Sequence, residues 1–243
     1  MKRKINPFWL LYLIFIFLPI GALLTAGAAI LTVMFSFTGD YRWCYMPAKY
    51  WARAMCYLVF VRVKVYGREN YSKNQSCIFI ANHQSIYDVF VIYGWLISKF
   101  KWIMKNTLRK IPLVGLACHK AGHIFIDRSN PIRAKRSIEE AEKKLQNGSS
   151  VVIFPEGSRT KDGNIGKFKR GAFKIAEDLK LPIIPVSIEG TFEVMPIFSY
   201  YIKPHKVSVT FHKPVDTQNL NDSNMDEFIQ KTREIILNNK IKL

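Results

Sequence analysis

Residues 77–88 read Cys77-Ile78-Phe79-Ile80-Ala81-Asn82-His83-Gln84-Ser85-Ile86-Tyr87-Asp88, and this stretch decides the fold. Cys77 to Ala81 is an unbroken apolar run, the pattern of a buried strand. Ser85 followed three residues later by Asp88 resembles a capping box, which places Asp88 in the first turn of a helix reaching about Lys99. His83 is left in the loop between strand and helix. A strand passing directly into a helix is half of a βαβ unit.

The same texture continues on both sides. Val61 to Tyr66 alternates apolar and basic side chains and is closed by Gly67. Lys101 to Met104, His123 to Ile126, Val151 to Phe154, Ile183 to Ile188 and Val207 to Phe211 are further strand candidates. Between them lie helical stretches near Ile132 to Gln146, stopped by Asn147-Gly148, then Gly171 to Leu179 and Met225 to Asn239. Alternation of this kind predicts an α/β fold, a mixed, mostly parallel central sheet flanked by helices. In such sheets, sites gather where strand ends give way to loops and helix N-termini. Neither an internal repeat nor a low-complexity linker interrupts residues 61–243, which read as one domain.

Residues 1–60 have a different character and read as a helical membrane anchor. After Lys2-Arg3-Lys4 comes an uncharged stretch from Phe8 to Phe37, longer than the roughly 20 apolar residues that cross a bilayer. It is too long, and too free of a small-residue cleavage site, for a signal peptide. With Pro19 and Gly21 in its middle, three arrangements compete: a tilted span, a helix pair kinked at Pro19, or a hairpin in one leaflet. Basic residues stand on both flanks (Lys2, Arg3, Lys4; Arg42, Lys49, Arg53), which favours an anchor held largely in one leaflet with both flanks cytoplasmic. Trp43 to Val61, aromatic and apolar with a few basic residues, suits an interfacial helix.

The chain holds 36 Lys and Arg against 18 Asp and Glu, a formal charge of +18 that calls for an anionic partner. Nucleic acid is a poor fit, because no recognition helix or RNA-binding aromatic motif is present and the basic residues spread over the whole chain. An anionic membrane surface fits. Cys44, Cys56, Cys77 and Cys118 are scattered, as reduced thiols of a cytosol-facing protein are. His119 and His123 share the spacing of two ligands on one helix face, but no carboxylate or thiolate completes a set, and Gly122 disfavours a helix there; no metal is expected.

Two constellations carry chemistry. In the first, Asp88 can turn back toward the His83 imidazole, fix its tautomer and raise its basicity, leaving the other nitrogen to take a proton. A reading in which Asp88 only caps the helix and His83 is an ordinary loop histidine fits those residues equally well. The second is Phe154-Pro155-Glu156-Gly157-Ser158-Arg159-Thr160, again at the end of a buried strand. Gly157 permits an unusual turn, Ser158 and Thr160 offer donors, and Arg159 presents a planar fork suited to phosphate. Lys161, Lys167, Lys169 and Arg170 deepen the positive potential.

Together these blocks resemble the glycerolipid acyltransferase family, specifically its PlsC-like 1-acyl-glycerol-3-phosphate acyltransferases. Asn82, His83 and Asp88 match the N-H-x-x-x-x-D motif, and Phe154, Pro155, Glu156, Gly157 and Arg159 match F-P-E-G-x-R. Lys105, Leu108, Pro112, Gly115, Gly122, Phe125 and Arg128 fit the block between them, with Thr107 where the family has glutamate. Pro185, Val186, Ile188, Gly190 and Thr191 fit the last block, with Ile184 replacing a valine. The match runs from about Val61 to Thr191.

The resemblance implies a glycerol-3-phosphate acyltransferase-like fold and transfer of a fatty acyl group to the sn-2 hydroxyl of lysophosphatidic acid. His83 would be the general base oriented by Asp88, without a covalent acyl-enzyme. Arg159, the Gly157 backbone, Ser158 and Lys105 would hold the acceptor phosphate, and Pro185 would shape the acyl-donor side. Glu156 would order its loop or contact the acceptor hydroxyl. The co-substrate would be acyl-CoA or acyl carrier protein, with no further cofactor. Another lysolipid acceptor is the alternative. The cytoplasmic face of a bacterial inner membrane is the expected location, in contact with membrane lipids.

Overall fold

A computed structural model of the chain describes residues 5–126 and 149–239. Its centre is a seven-stranded sheet in the order β1-β7-β6-β2-β5-β3-β4. The strands are β1 (Arg62–Tyr66), β2 (Ile78–Ala81), β3 (Phe100–Lys105), β4 (Ile124–Ile126), β5 (Ser150–Ile153), β6 (Ile183–Glu189) and β7 (Lys206–Phe211). From β6 to β4 every neighbouring pair is parallel. Only the β6–β7 pair is antiparallel, and β1 runs parallel to β7. Each of the seven strand candidates corresponds to one of these strands.

The helices are α1 (Pro7–Ser36, containing a π-helical turn at Leu13–Phe17), α2 (Tyr41–Tyr57), α3 (Tyr87–Trp95), α4 (Val114–Lys120), α5 (Arg170–Leu179), α6 (Thr191–Val194) and α7 (Met225–Leu237). They cover the sheet on both faces, so the central strands are apolar throughout. Within β2, Phe79 and Ala81 join Val152, Ile184 and Val186 in a core completed by α2 and α3. Ile78 and Ile80 point the other way, toward Val151, Ile153 and Phe173, under α5 and α7. The two-residue period of the strand thus assigns alternate side chains to two separate cores.

α1 is unbroken at Pro19. Proline has no N–H for the helical ladder, and the π turn directly before it takes up the mismatch without separating two helices. Gly21 of α1 packs beside Met55 of α2, where an added Cβ would make ordinary contact at 3.4 Å from Met55 Cε. α1 turns into α2 through Phe37 to Asp40, with Gly39 at φ 72°. By length and composition α1 is one helix able to cross a membrane, and much of its apolar surface is exposed, Phe15 at 70% and Leu23 at 73%.

The helix expected over Ser85 to Lys99 is shorter than the sequence pattern suggests. It ends at Trp95, Leu96 is extended, and the Lys99 carbonyl already accepts from Ser150 N at 3.0 Å as the chain enters β3. Pairing with β5 overrides helical propensity there. The helix expected over Ile132 to Gln146 and its Asn147-Gly148 stop lie outside the described residues, as does Arg128.

Candidate active site

β2, β5, β3 and β6 are parallel neighbours, so their C-terminal ends open on one rim of the sheet. His83 follows β2, the Phe154–Arg159 block follows β5, Lys105 ends β3, and Thr191 follows β6. Four sequence blocks far apart in the chain therefore meet on the rim where α/β sheets bind ligands.

Asn82 ties two of these strands together. Its side chain is buried; Oδ1 accepts from Ile188 N and Nδ2 donates to the Ile188 carbonyl, both at 2.8 Å. This amide continues the β2–β6 ladder one residue past the strand and fixes where the loop departs.

The Asp88 carboxyl group is completely buried and receives four hydrogen bonds. Oδ2 accepts from Gln84 N at 2.6 Å, from Ser85 N at 2.8 Å and from His83 Nδ1 at 2.8 Å. Oδ1 accepts from Thr191 Oγ1 at 2.5 Å. The capping role and the histidine-orienting role, which the sequence left as alternatives, are performed by the same carboxylate. Ser85 Oγ returns the cap by accepting from Tyr87 N at 3.2 Å. With Nδ1 donating to a carboxylate, His83 carries its basic lone pair on Nε2. The imidazole lies flat on Phe154, with ring centroids 4.0 Å apart and planes 10° from parallel, and Phe154 in turn stacks on Trp102 at 5.5 Å. The histidine side chain keeps 17% of its surface open, so it is held on one face yet reachable.

Glu156 is buried, and both of its oxygens accept from backbone amides: Oε1 from His83 N at 2.7 Å and Oε2 from Gly166 N at 2.8 Å. Burial raises its pKa, the two amide bonds oppose that rise, and nearby Asp88 adds a smaller push upward. Of the two roles expected for Glu156, these bonds fit the ordering of the loop. Gly157 adopts φ 77°, a backbone conformation that side chains disfavour. Thr160 N donates to the His83 carbonyl at 3.0 Å, which brings Arg159 within one residue of direct contact with the histidine loop. Ser158 and Lys105 are exposed and Arg159 is half-buried; among the described residues Arg159 and Lys105 have no carboxylate partner. Pro185 lies inside β6, paired with Ile80, its carbonyl accepting from His212 N at 2.9 Å. Its influence on a ligand would pass through the strand.

Three contacts had no role assigned from sequence. Thr191 holds Asp88, although its block pointed to the acyl-donor side. Gln84 Nε2 donates to the Gly163 carbonyl at 2.5 Å, fastening the basic loop to the histidine loop. Arg233 of α7 donates to the Gly166 and Ile165 carbonyls at 2.9 and 2.8 Å, bracing the segment that Glu156 grips. Thr191 was at least marked by its motif; a lone arginine on an amphipathic helix carries no such signal.

His123 follows α4 after Gly122, whose φ of 75° ends the helix, so His119 and His123 do not share a helix face. Its Nδ1 accepts from Trp102 N at 3.2 Å and its Nε2 meets Tyr93 Oη at 2.5 Å, which occupies both ring nitrogens.

Comparison with known proteins agrees with this geometry. A family profile described as Acyltransferase matches residues 62–189. The chain belongs to the acyltransferase family. The chloroplastic 1-acyl-sn-glycerol-3-phosphate acyltransferase of Brassica napus is 35% identical over 170 residues, covering 69% of this chain and 49% of its own length. That of Saccharomyces cerevisiae is 31% identical over 194 residues, covering 76% of this chain and 63% of its own. The chain spans about half the length of the plant relatives it matches. The crystal structure of the 1-acyl-sn-glycerophosphate (LPA) acyltransferase, PlsC, from Thermotoga maritima superposes with a TM-score of 0.81 at 28% identity, covering 98% of both chains.

Proposed function

We propose that this acyltransferase moves a fatty acyl group from a thioester to the sn-2 hydroxyl of 1-acyl-glycerol-3-phosphate, producing phosphatidic acid. The observation that carries the reading is the His83–Asp88 pair, bonded at 2.8 Å on the open rim of the sheet. His83 Nε2 takes the proton from the acceptor hydroxyl as its oxygen attacks the thioester carbonyl carbon. The tetrahedral adduct then collapses, the carbon–sulfur bond breaks, and the departing thiolate receives that proton from the imidazolium. No acyl-enzyme forms and no cofactor beyond the thioester is required. Asp88 holds the ring in the productive tautomer and faces the transient positive charge.

Arg159, with Lys105 and Ser158, binds the acceptor phosphate, while the Gly157 N–H donates to the Phe154 carbonyl at 3.1 Å and shapes the loop. The support for this is that, among the described residues, Lys105 at the end of β3 and Arg159 in the loop after the neighbouring parallel strand β5 have no carboxylate partner. Residues 1–60 anchor the catalytic domain of residues 61–243 in the membrane, where acceptor and product both reside. The basic flanks of α1 favour the cytoplasmic face.

The test is to give the purified full-length protein radiolabelled lysophosphatidic acid, lysophosphatidylcholine and lysophosphatidylglycerol in turn, each with acyl-CoA and with acyl carrier protein thioester. The reading expects phosphatidic acid to form with kcat/KM at least about tenfold above that of either masked phosphate. A preference for a masked head group would replace the proposed acceptor with another lysolipid.

A further inference from the structure

The segment between α6 and β7 is a closed loop with an apolar tip. Lys203 N donates to the Val194 carbonyl at 2.9 Å, Ser199 N to the Pro196 carbonyl at 3.0 Å, and Tyr201 N to Ser199 Oγ at 3.1 Å. The base is sealed into the core by Val194 and Ile202. At the tip, Phe198 is 76% exposed and Tyr200 is 95% exposed. Presenting two large aromatic rings to water on an internally bonded loop is unfavourable unless something else covers them.

Three observations indicate what covers them. The loop is fastened to the beginning of α1: Asn6 N donates to Tyr201 Oη at 3.0 Å, and Trp9 Nε1 donates to the Ile202 carbonyl at 2.7 Å. Around that junction Ile5, Phe8 and Phe60 are also exposed, at 60%, 83% and 60%, so the tip belongs to a group that continues into the bare apolar surface of α1. Finally, residues 195–206 contain Lys203, His205 and Lys206 but no Asp or Glu. Arg62 stands opposite Lys206 in the β1–β7 register, adding to this fringe. Aromatic rings bordered by cations match the interface of an anionic leaflet.

We propose that the Met195–Lys203 loop is a second membrane contact, placing Phe198 and Tyr200 in the interface of the leaflet that holds α1 and setting the height of the His83 site against the bilayer. This rests on α1 being membrane-embedded. The link to the site is direct at the loop's root. Thr191, four residues before Met195, donates to Asp88, and Ser85 Oγ donates to the Met195 carbonyl at 2.7 Å. A loop fixed by lipid at its tip and by α3 at its root transmits membrane position to the catalytic pair.

Full-length protein carrying Phe198→Cys with Cys118→Ser would be labelled with an environment-sensitive fluorophore and mixed with phosphatidylcholine–phosphatidylglycerol vesicles, with and without brominated acyl chains. The proposal expects a blue shift and bromine quenching at position 198. Protein that floats with the vesicles but shows no quenching overturns the loop contact and leaves α1 as the anchor. Protein that fails to float overturns both. In parallel, the Phe198→Ser/Tyr200→Ser double variant should lose about tenfold or more of wild-type turnover on vesicles, while turnover in detergent micelles stays within about twofold. Equal losses in both settings would overturn the height-setting role.

Discussion

Thr191 Oγ1 donates to Asp88 Oδ1 at 2.5 Å, joining the end of β6 to the first turn of α3 across 103 residues of chain. With Gln84 N, Ser85 N and His83 Nδ1 on the other oxygen, this bond leaves the carboxylate no freedom to rotate away from the histidine. Thr191→Val, which keeps the shape and removes the donor, is expected to destabilise the fold by about 1–3 kcal/mol and lower kcat about tenfold. Thr191→Ser should restore most of both. Denaturation midpoints and turnover of the two variants decide the point.

Glu156 and Arg159, three residues apart, should fail differently. In Glu156→Gln the side-chain amide can accept from only one of the two N–H groups that now share the carboxylate, leaving an N–H facing an N–H. Stability should fall by about 1–3 kcal/mol and kcat should drop, with the acceptor KM little changed. A raised acceptor KM with unchanged stability would instead place Glu156 on the substrate.

For Arg159→Ala the expectation is the reverse. The acceptor KM should rise about tenfold or more with a smaller change in kcat, and Arg159→Lys should recover only part because it loses the planar fork. Steady-state kinetics with varied lysophosphatidic acid at saturating thioester provides the check. An unchanged KM would remove Arg159 from phosphate binding.

Most of the layout was legible in the sequence because the central strands are covered on both faces and so appear as uninterrupted apolar runs. The strand order was not, since nothing local in Val207 to Phe211 says that it returns antiparallel to β6 and pairs with β1 at the far edge. At the site, His83 and Asp88 were visible as a spacing, but their shared bond and the capping role could not be separated until the loop had a shape. Thr191 and Arg233 escaped assignment for one physical reason. Each acts through tertiary hydrogen bonds to residues far away in the chain, which leave no periodic trace.

His123 provides a pH signature. Burial, aided by nearby Lys101, depresses its pKa from 6.5 to about 3. Between those values the unfolded chain binds a proton that the native state refuses, so stability falls as pH drops from about 6.5 to 3, by up to roughly 1.4 kcal/mol per pH unit. Replacing the imidazole in His123→Gln should flatten that part of the profile while lowering stability near neutrality. Thermal midpoints of both proteins across this range test it, and parallel profiles would contradict the assignment.

The central claim is that His83 Nε2 takes the acceptor proton. The most direct measurement is turnover of purified His83→Ala on lysophosphatidic acid and acyl-CoA, followed by thiol release. The account predicts a loss of about 10²–10⁴-fold in kcat with the fold intact. Turnover within about twofold of wild type in the alanine variant would contradict it.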